Sequence, residues 1–259
     1  MLLGGLQKTT LIDFPGKVAC TVFTVGCNFG CPFCHNRDLV NPNLFRESGL
    51  KQLKEAEFFA FLKERKKLLD GVCITGGEPT VQPDLPEFTQ KIKKIGYLVK
   101  LDTNGSNPQI LKKLIDDRLI DYVAMDIKSD FDSYLWTIKL KAQNSKRKAT
   151  TQDLKILDKI KESIRLILQS GINYEFRTTV VPTLHTEESL IRLAKQLKTL
   201  ITNYKLLITD FVWFLQPFRP QNCLDKKFLQ IKPYSNKEMK KLTQALKTVL
   251  PATKLRGEG

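Results

Sequence analysis

Two kinds of segment alternate along the chain. In one kind apolar residues recur at every second position, as in strands, and in the other they recur with the longer period of amphipathic helices. The pattern predicts six strand–helix units in succession. The predicted strands cover 17–25, 72–75, 97–102, 122–127, 174–181 and 211–216. The predicted helices cover 54–69, 85–95, 108–117, 153–169, 187–200 and 236–249. Such regular alternation indicates an α/β fold with a parallel sheet and outer helices.

Six units at this length favour a partial (βα)6 TIM-like barrel over a closed barrel of eight units. The chain has 259 residues, and we expect a single domain over 1–259 because no linker interrupts the pattern. One basic surface insertion is expected near 139–148. It carries five positive charges and no acidic residue, contributed by Lys139, Lys141, Lys146, Arg147 and Lys148.

Composition excludes several classes of protein. Hydrophobic residues make up 42% and charged residues 27% of the chain, which is typical of folded globular domains. No apolar run approaches the roughly 20 residues of a membrane helix. The first residues lack the basic and apolar regions of a secretory signal. We therefore expect a cytoplasmic protein without a membrane association.

The formal charge of +15 is unusual, with 42 Lys and Arg against 27 Asp and Glu. An excess of basic residues can favour binding to nucleic acid, to an anionic membrane surface or to an acidic partner protein. The basic residues are mostly lysines and are widely spread, which favours a lysine-rich background. Docking of an acidic partner, with the insertion as one contact, is the second interpretation. Few aromatic residues stand among the basic residues, which disfavours binding of nucleic acid.

Three of the six cysteines lie together, as Cys27-x-x-x-Cys31-x-x-Cys34. Disulfides are rare in the cytosol, and a structural zinc site usually takes four ligands from two spaced pairs. The other cysteines are Cys20 and Cys73, on predicted strands and expected to be buried, and Cys223, expected to be a free thiol. Three thiolates suit a [4Fe–4S] cluster with one iron left open.

The sequence around these cysteines, GCNFGCPFCHN over 26–36, resembles the CxxxCxΦC loop of the radical S-adenosylmethionine (SAM) enzymes. The run Gly76-Gly77-Glu78-Pro79 resembles the GGEP motif of the same enzymes, at the end of the next strand. Two motifs in the family's order, on a βα pattern, extend the resemblance over roughly residues 5–249. The chain is identified on these motifs as a member of that superfamily.

The resemblance implies a [4Fe–4S] cluster held by Cys27, Cys31 and Cys34, whose open iron binds the amino and carboxylate groups of SAM. One electron from the cluster then cleaves SAM into methionine and a 5′-deoxyadenosyl radical, which takes a hydrogen atom from the substrate. The SAM-contacting residues that it implies are Phe33, His35, Gly76, Gly77, Glu78, Pro79, Asp102, Asn104, Asp126, Lys128, Arg177 and Gln216. Backbone carbonyls of the GGEP run would meet the SAM ammonium.

The alternation of inward and outward side chains predicts which charged residues of two predicted strands face the barrel lumen. Asp126 and Lys128 share one face of the strand from 122, and we expect them to point into the barrel lumen. This Asp-x-Lys resembles the SAM contact of the glycyl-radical-enzyme activases. On the strand from 174, Glu175 and Arg177 face inward. An unpaired buried arginine is costly, so Arg177 should pair with Glu175, Asp126 or the SAM carboxylate.

Other positions keep two interpretations. Phe33 either packs in the core or shields the cluster. Asn104 either forms an Asx turn with Gly105 or contacts ribose or substrate. Arg219 stands where activases of pyruvate formate-lyase carry a histidine, which leaves the equivalent SAM contact open. His185 follows a Pro-Thr loop and is expected to have no catalytic role.

Residues 5–17, GLQKTTLIDFPGK, resemble the opening of the anaerobic ribonucleoside-triphosphate reductase activating proteins, as do 34–36 and 177–182. The resemblance implies that the chain forms a glycyl radical in a partner enzyme, with a flavodoxin or ferredoxin as electron donor. Three alternatives remain: activation of another glycyl-radical enzyme such as pyruvate formate-lyase, radical chemistry on a small molecule as in a deazaguanine synthase, and an iron–sulfur protein that binds nucleic acid. Three scattered cysteines are too few for an auxiliary ferredoxin domain.

Overall fold

The computed structural model describes residues 1–138, 151–205, 207 and 211–257, with side chains of 151–154 left out. The described chain forms one eight-stranded sheet whose strands are neighbours in chain order. The strands are β1 Leu3–Thr10, β2 Ala19–Thr24, β3 Gly71–Gly76, β4 Leu98–Thr103, β5 Tyr122–Asp126, β6 Asn173–Val180, β7 Trp213–Pro217 and β8 Thr253–Leu255. Strands β2 to β8 are parallel, and β1 pairs with β2 in the antiparallel direction.

Helices follow the strands and cover the outer face of the sheet. They are α1 Pro42–Glu47, α2 Glu55–Glu64, α3 Leu85–Ile95, α4 Pro108–Asp116, α5 Tyr134–Ile138, α6 Thr151–Gln169, α7 Glu187–Asn203 and α8 Asn236–Lys247. Local chemistry sets several of their ends. Ser235 and Glu238 form a capping box at the start of α8, and Thr186 accepts from the backbone of Ser189 at the start of α7. Gly96 ends α3 in a left-handed conformation.

The expected fold class is confirmed, since a parallel-dominated sheet with outer helices is what the strand–helix alternation predicts. The structure adds β1 and β8 to the six predicted strands. β1 contains two adjacent glycines and an exposed polar stretch, and β8 has only three residues, so neither gives a clear apolar pattern. The basic insertion near 139–148 lies outside the described residues.

Two helices end at least two residues earlier than predicted. The apolar spacing extends α2 to residue 69, but the helix stops at Glu64 and a tight turn follows, in which Leu68 is exposed. The last helix ends at Lys247 rather than at residue 249. Among the described residues, no helix is both long enough and apolar enough to cross a membrane.

The alternation predicted for β5 and β6 is observed. Val123, Met125 and Ile127 are fully buried in the apolar core, on the side of the outer helices. Asp126 is in register with Arg177 on β6, and both side chains line the inner cavity. The sheet therefore collects polar side chains on its concave face, at the carboxyl ends of the strands, where active sites of βα barrels lie.

Candidate active site

One cavity of roughly 260 Å³ lies at the carboxyl ends of β3 to β7. Every residue predicted for the site lines it except Pro79, which begins a short 3₁₀ turn after the cavity wall. Five further residues line the cavity that are not among the predicted SAM-contacting residues or cluster ligands: Phe29, Asn36, Thr75, Thr103 and Thr179. Strand alternation does predict the inward face of Thr179, two residues after Arg177, whereas Thr75 and Thr103 enter the cavity at the ends of β3 and β4. The roles of these residues toward a cluster and SAM stay predictions.

The cysteine loop follows β2 and is held by backbone hydrogen bonds from several sides. The backbone N–H of Cys27 donates to Val40 O at 2.8 Å, and that of Gly30 donates to Ile138 O at 2.8 Å. On another side, Leu224 N donates to Cys34 O at 3.1 Å. The three thiols therefore enter the same cavity from a loop whose backbone position is fixed.

All six cysteines are free, and Cys20, Cys73 and Cys223 are buried without lining the cavity. Burial raises the pKa of the Cys27 and Cys34 thiols and raises that of Cys31 to about 12. Lys128 opposes this rise at Cys31 and Cys34 because its positive charge favours the thiolate. Without a bound cation the thiols are neutral at pH 7, and a metal must stabilise their thiolate form.

The donor set fits an iron–sulfur cluster better than a single metal ion. Among the described residues, no group of three His, Cys, Asp or Glu side chains is arranged to hold one ion. A cubane cluster makes a different demand, because each cysteine binds a separate iron. Cys27, Cys31 and Cys34 line one cavity together, and the other three cysteines do not line it. Three thiolate ligands leave the fourth iron for another group.

The glycines of the GGEP run allow β3 to pass directly against the cysteine loop. Gly76 has φ +112°, and a Cβ there would lie 2.5 Å from the backbone nitrogen and oxygen of Thr24. A Cβ on Gly77 would lie 2.2 Å from the backbone oxygen of Gly26. The backbone itself therefore forms this wall of the cavity, and only glycine fits at the contact.

Glu78 joins the ends of β3 and β4. Its buried carboxylate accepts hydrogen bonds from Thr103 Oγ1 at 2.7 Å and from the backbone of Asn104 at 2.6 Å. It also accepts from the backbone of Thr80 at 3.1 Å. Burial raises the pKa of Glu78, and these donors oppose the rise. The motif glutamate thus anchors the cavity wall through groups on the neighbouring strand.

Asn104 forms the predicted Asx turn and also lines the cavity, while its contact with ribose or substrate stays a prediction. Its Oδ1 accepts from the backbone of Ser106 at 2.9 Å, which is an Asx turn. Its Nδ2 donates to Asn28 Oδ1 at 3.0 Å, so the same side chain reaches the cysteine loop and lines the cavity. Phe33 likewise is buried in the core and lines the cavity at once.

Five charged side chains form an alternating chain across the cavity, which we call the lumenal charge chain: Lys100, Asp102, Arg177, Asp126 and Lys128. Lys100 pairs with Asp102 Oδ1, and Arg177 Nη1 lies 3.2 Å from Asp102 Oδ2. Arg177 Nε donates to Asp126 Oδ1 at 2.7 Å, and Lys128 Nζ donates to Asp126 Oδ2 at 2.8 Å. The expected pairing of Arg177 with Asp126 is present, and Glu175 Oε1 lies 3.9 Å from Arg177 Nη1.

The charge chain keeps its members ionised in spite of burial. Burial alone would raise the pKa of Asp102 and Asp126, but neighbouring cations outweigh it and hold both pKa values below the usual range. Burial would lower the pKa of Lys128, but Asp126 and the nearby cysteines raise it. Lys128 therefore stays a cation beside the cysteine loop and can bind a carboxylate.

Two further positions bear on ligand binding. His35 lines the cavity, and burial lowers the pKa of its imidazole, which favours the neutral ring. Arg219 is exposed and does not line the cavity, whereas Gln216, three residues earlier on β7, does.

Comparisons with known proteins agree with this geometry. The family model described as the Radical SAM superfamily matches residues 21–197. A Methanocaldococcus jannaschii protein named as a glycyl-radical enzyme activating enzyme is 31% identical over 95% of this chain and 92% of its own length. The pyruvate formate-lyase-activating enzyme of Clostridium pasteurianum is 28% identical over 95% of this chain and 96% of its own length.

Among solved structures, Streptococcus suis SuiB bound to S-adenosylmethionine superposes with a TM-score of 0.57. The match covers 91% of this chain and 49% of SuiB, at 15% identity. At that identity the likeness concerns the fold alone.

Proposed function

Because the chain belongs to the radical SAM superfamily and, within it, to the family of glycyl-radical-enzyme activating enzymes, we propose that it forms a glycyl radical in an anaerobic ribonucleoside-triphosphate reductase. The family uses a [4Fe–4S] cluster and SAM. The carrying observation is that three cysteine thiols, a glycine backbone wall and four members of the lumenal charge chain, Asp102, Arg177, Asp126 and Lys128, line one cavity.

The cluster and SAM together supply a one-electron cleavage that yields a 5′-deoxyadenosyl radical. The chain's own residues bind and orient these groups. Cys27, Cys31 and Cys34 would hold three irons, and the glycine wall at Gly76 and Gly77 would receive the SAM ammonium. Lys128, which the charge chain keeps ionised, is placed to bind the SAM carboxylate. The cavity at the strand ends limits the access of water to the reaction.

Sequence likeness to the reductase activating proteins supports this choice of partner. The likeness is strongest in residues 5–17, which form most of β1 and the connection to β2. Thr21 Oγ1 donates to Asp13 Oδ2 at 2.6 Å, and the ring of Phe14 lies 6.0 Å from that of Tyr122. These contacts lie at the amino ends of the strands, away from the cavity. The motif therefore stabilises the barrel. Its similarity to the reductase activating proteins indicates common ancestry and not a contact with the substrate.

The relative from Clostridium pasteurianum favours pyruvate formate-lyase as a second candidate partner, because the match covers nearly the whole length of both chains. We propose a flavodoxin or ferredoxin as the electron donor and the cytoplasm as the compartment. Binding of nucleic acid stays disfavoured, since the described basic residues are spread over several separate helices and loops and many pair with carboxylates.

Electron paramagnetic resonance (EPR) tests the proposal. The protein is reconstituted with iron and sulfide, reduced without oxygen, and mixed with SAM and either purified reductase or purified pyruvate formate-lyase. We expect a glycyl radical signal with the reductase and methionine released in step with it. A signal only with pyruvate formate-lyase would contradict the choice of partner. SAM cleavage without a radical in either enzyme would contradict an activase of these two partners.

A further inference from the structure

His185 follows β6 and is 1% exposed, although it does not line the cavity. The sequence gives it no role, yet both of its ring nitrogens are engaged. Nδ1 lies 3.0 Å from the backbone nitrogen of Val181, and Nε2 lies 2.9 Å from the backbone oxygen of Lys128. A buried histidine thus spans the carboxyl ends of β5 and β6.

The two partners determine the tautomer. The backbone N–H of Val181 can only donate, so Nδ1 of His185 accepts and carries no proton. Nε2 therefore carries the proton and donates to the carbonyl of Lys128. A neutral ring with both nitrogens occupied by backbone groups has no free site for proton transfer. The ring can fix the position of its partners but cannot act as an acid or a base.

The contacts of His185 converge on the site. Lys128, whose carbonyl accepts from the ring, closes the lumenal charge chain beside Cys31 and Cys34. Phe33, which lies between the last two cysteines, meets the imidazole edge-on with ring centroids 6.5 Å apart. Tyr234 Oη donates to the backbone oxygen of His185 at 3.1 Å, a contact that does not involve the imidazole ring.

We propose that His185 is a positioning residue, which fixes the backbone of Lys128 and the ring of Phe33 so that the lysine ammonium meets the SAM carboxylate. The inference rests on the proposed function only in that SAM binds in this cavity. The charge chain ties the Lys128 side chain to Asp126. β5 ends at Asp126, and beyond it Ile127 N still donates to Arg177 O at 2.8 Å, so the bonds to β6 stop one residue before Lys128 and do not restrain its carbonyl. The Nε2 bond supplies that restraint, together with a 3.3 Å contact of Lys128 N with Tyr134 Oη.

Two substitutions separate the two ring bonds. His185→Asn keeps an acceptor near the place of Nδ1 and loses the donor to Lys128. His185→Gln extends an amide N–H toward the place of Nε2 and gives up the Nδ1 acceptor. Tyr234→Phe is the matched control, because it removes a hydrogen bond to the backbone of His185 and leaves the ring contacts in place.

The readouts are the Kd for SAM of the reconstituted protein and the change that SAM causes in the EPR spectrum of the reduced cluster, with no partner enzyme present. We expect His185→Asn to weaken SAM binding about tenfold, as loss of one hydrogen bond to a positioned group does, and to reduce the spectral change. His185→Gln and Tyr234→Phe should stay within about twofold of the unchanged protein. Equal SAM affinity in His185→Asn and the unchanged protein would overturn the proposal.

A double variant tests whether His185 acts through Lys128. If it does, Lys128→Met combined with His185→Asn binds SAM as weakly as Lys128→Met alone. Fully additive losses would overturn the proposal, as would equal losses in both His185 variants that follow only their melting temperatures. Because no glycyl-radical enzyme enters these measurements, their result is separate from the success or failure of the proposed partner.

Discussion

At the scale of single residues, the site depends on backbone that passes where no side chain fits. Gly77 N donates to Thr24 O at 2.8 Å, and Glu78 N donates to Gly26 O at 2.7 Å. These two backbone hydrogen bonds join the end of β3 to the end of β2 and the cysteine loop. From these glycines the sequence predicts a close approach of the backbone to SAM, but not the packing of β3 against the cysteine loop. It could not predict that Glu78 anchors β4, because its partners stand 25 and 26 residues away along the chain.

Gly77→Ala should separate the cysteine loop from β3, because its Cβ would meet backbone atoms that cannot rotate away. We expect a loss of about 1–3 kcal/mol in the free energy of unfolding and weaker SAM binding. Gly5→Ala is the control, since a Cβ there has no neighbour within 4 Å. Denaturant unfolding and SAM titration provide the check. Equal behaviour of the two variants would contradict the role of the glycine wall.

Replacement of Cys27, Cys31 or Cys34 by Ala should remove a cluster ligand. Each variant is expected to lose most of its cluster iron and sulfide and to stop cleaving SAM. Cys20→Ala, a fully buried cysteine outside the cavity, should keep its iron. Iron and sulfide analysis after anaerobic reconstitution measures this. Full iron content in any one of the three loop variants would show that its thiol is not a ligand.

At the scale of elements, β4, β5 and β6 each contribute to the lumenal charge chain. Alternation along β5 and β6 correctly predicts the inward face of Asp126 and Arg177. It does not predict that Lys100 continues the chain on β4, because a period of two gives the face of a residue but not its partner across the sheet. Lys100 is 2% exposed and is stabilised by Asp102.

Arg177→Met should destabilise the fold, because it leaves Asp102 and Asp126 buried without their main cation. We expect a loss of about 3–5 kcal/mol in the free energy of unfolding. Arg165→Met is the matched control. Its ion pair with Glu162 lies on the surface, and such pairs contribute about 0–1 kcal/mol. A loss at Arg177 no larger than that at Arg165 would refute the importance of the charge chain.

The charge chain also predicts a dependence of stability on pH. The folded pKa values of Asp102 and Asp126 lie below the ordinary value of 3.8. Their contribution is therefore complete above pH 3.8 and is lost as pH falls from there toward the lowered folded values. Unfolding free energies of cluster-free protein between pH 6 and pH 2 should show a steeper fall for the unchanged chain than for Arg177→Met. Parallel curves would contradict this origin of the acid sensitivity.

At the scale of the whole molecule, six strand–helix units and the site they position could be predicted from the sequence. The two outer strands could not, because an edge strand with glycines or a strand of three residues does not carry the periodicity of a buried element. Burial patterns are local and repeat along the chain, whereas links such as Glu78 to Asn104 and His185 to Lys128 form only when the sheet curls.

The central claim is that the radical chemistry of this cavity ends on a glycine of a partner protein. The most direct measurement uses anaerobic ribonucleoside-triphosphate reductase whose glycine residues are deuterated at the α-carbon. Mass spectrometry then measures the deuterium content of the 5′-deoxyadenosine that is released. The account predicts one deuterium in the released 5′-deoxyadenosine for each glycyl radical formed. Unlabelled 5′-deoxyadenosine, released at the same rate while no glycyl radical accumulates, would contradict it.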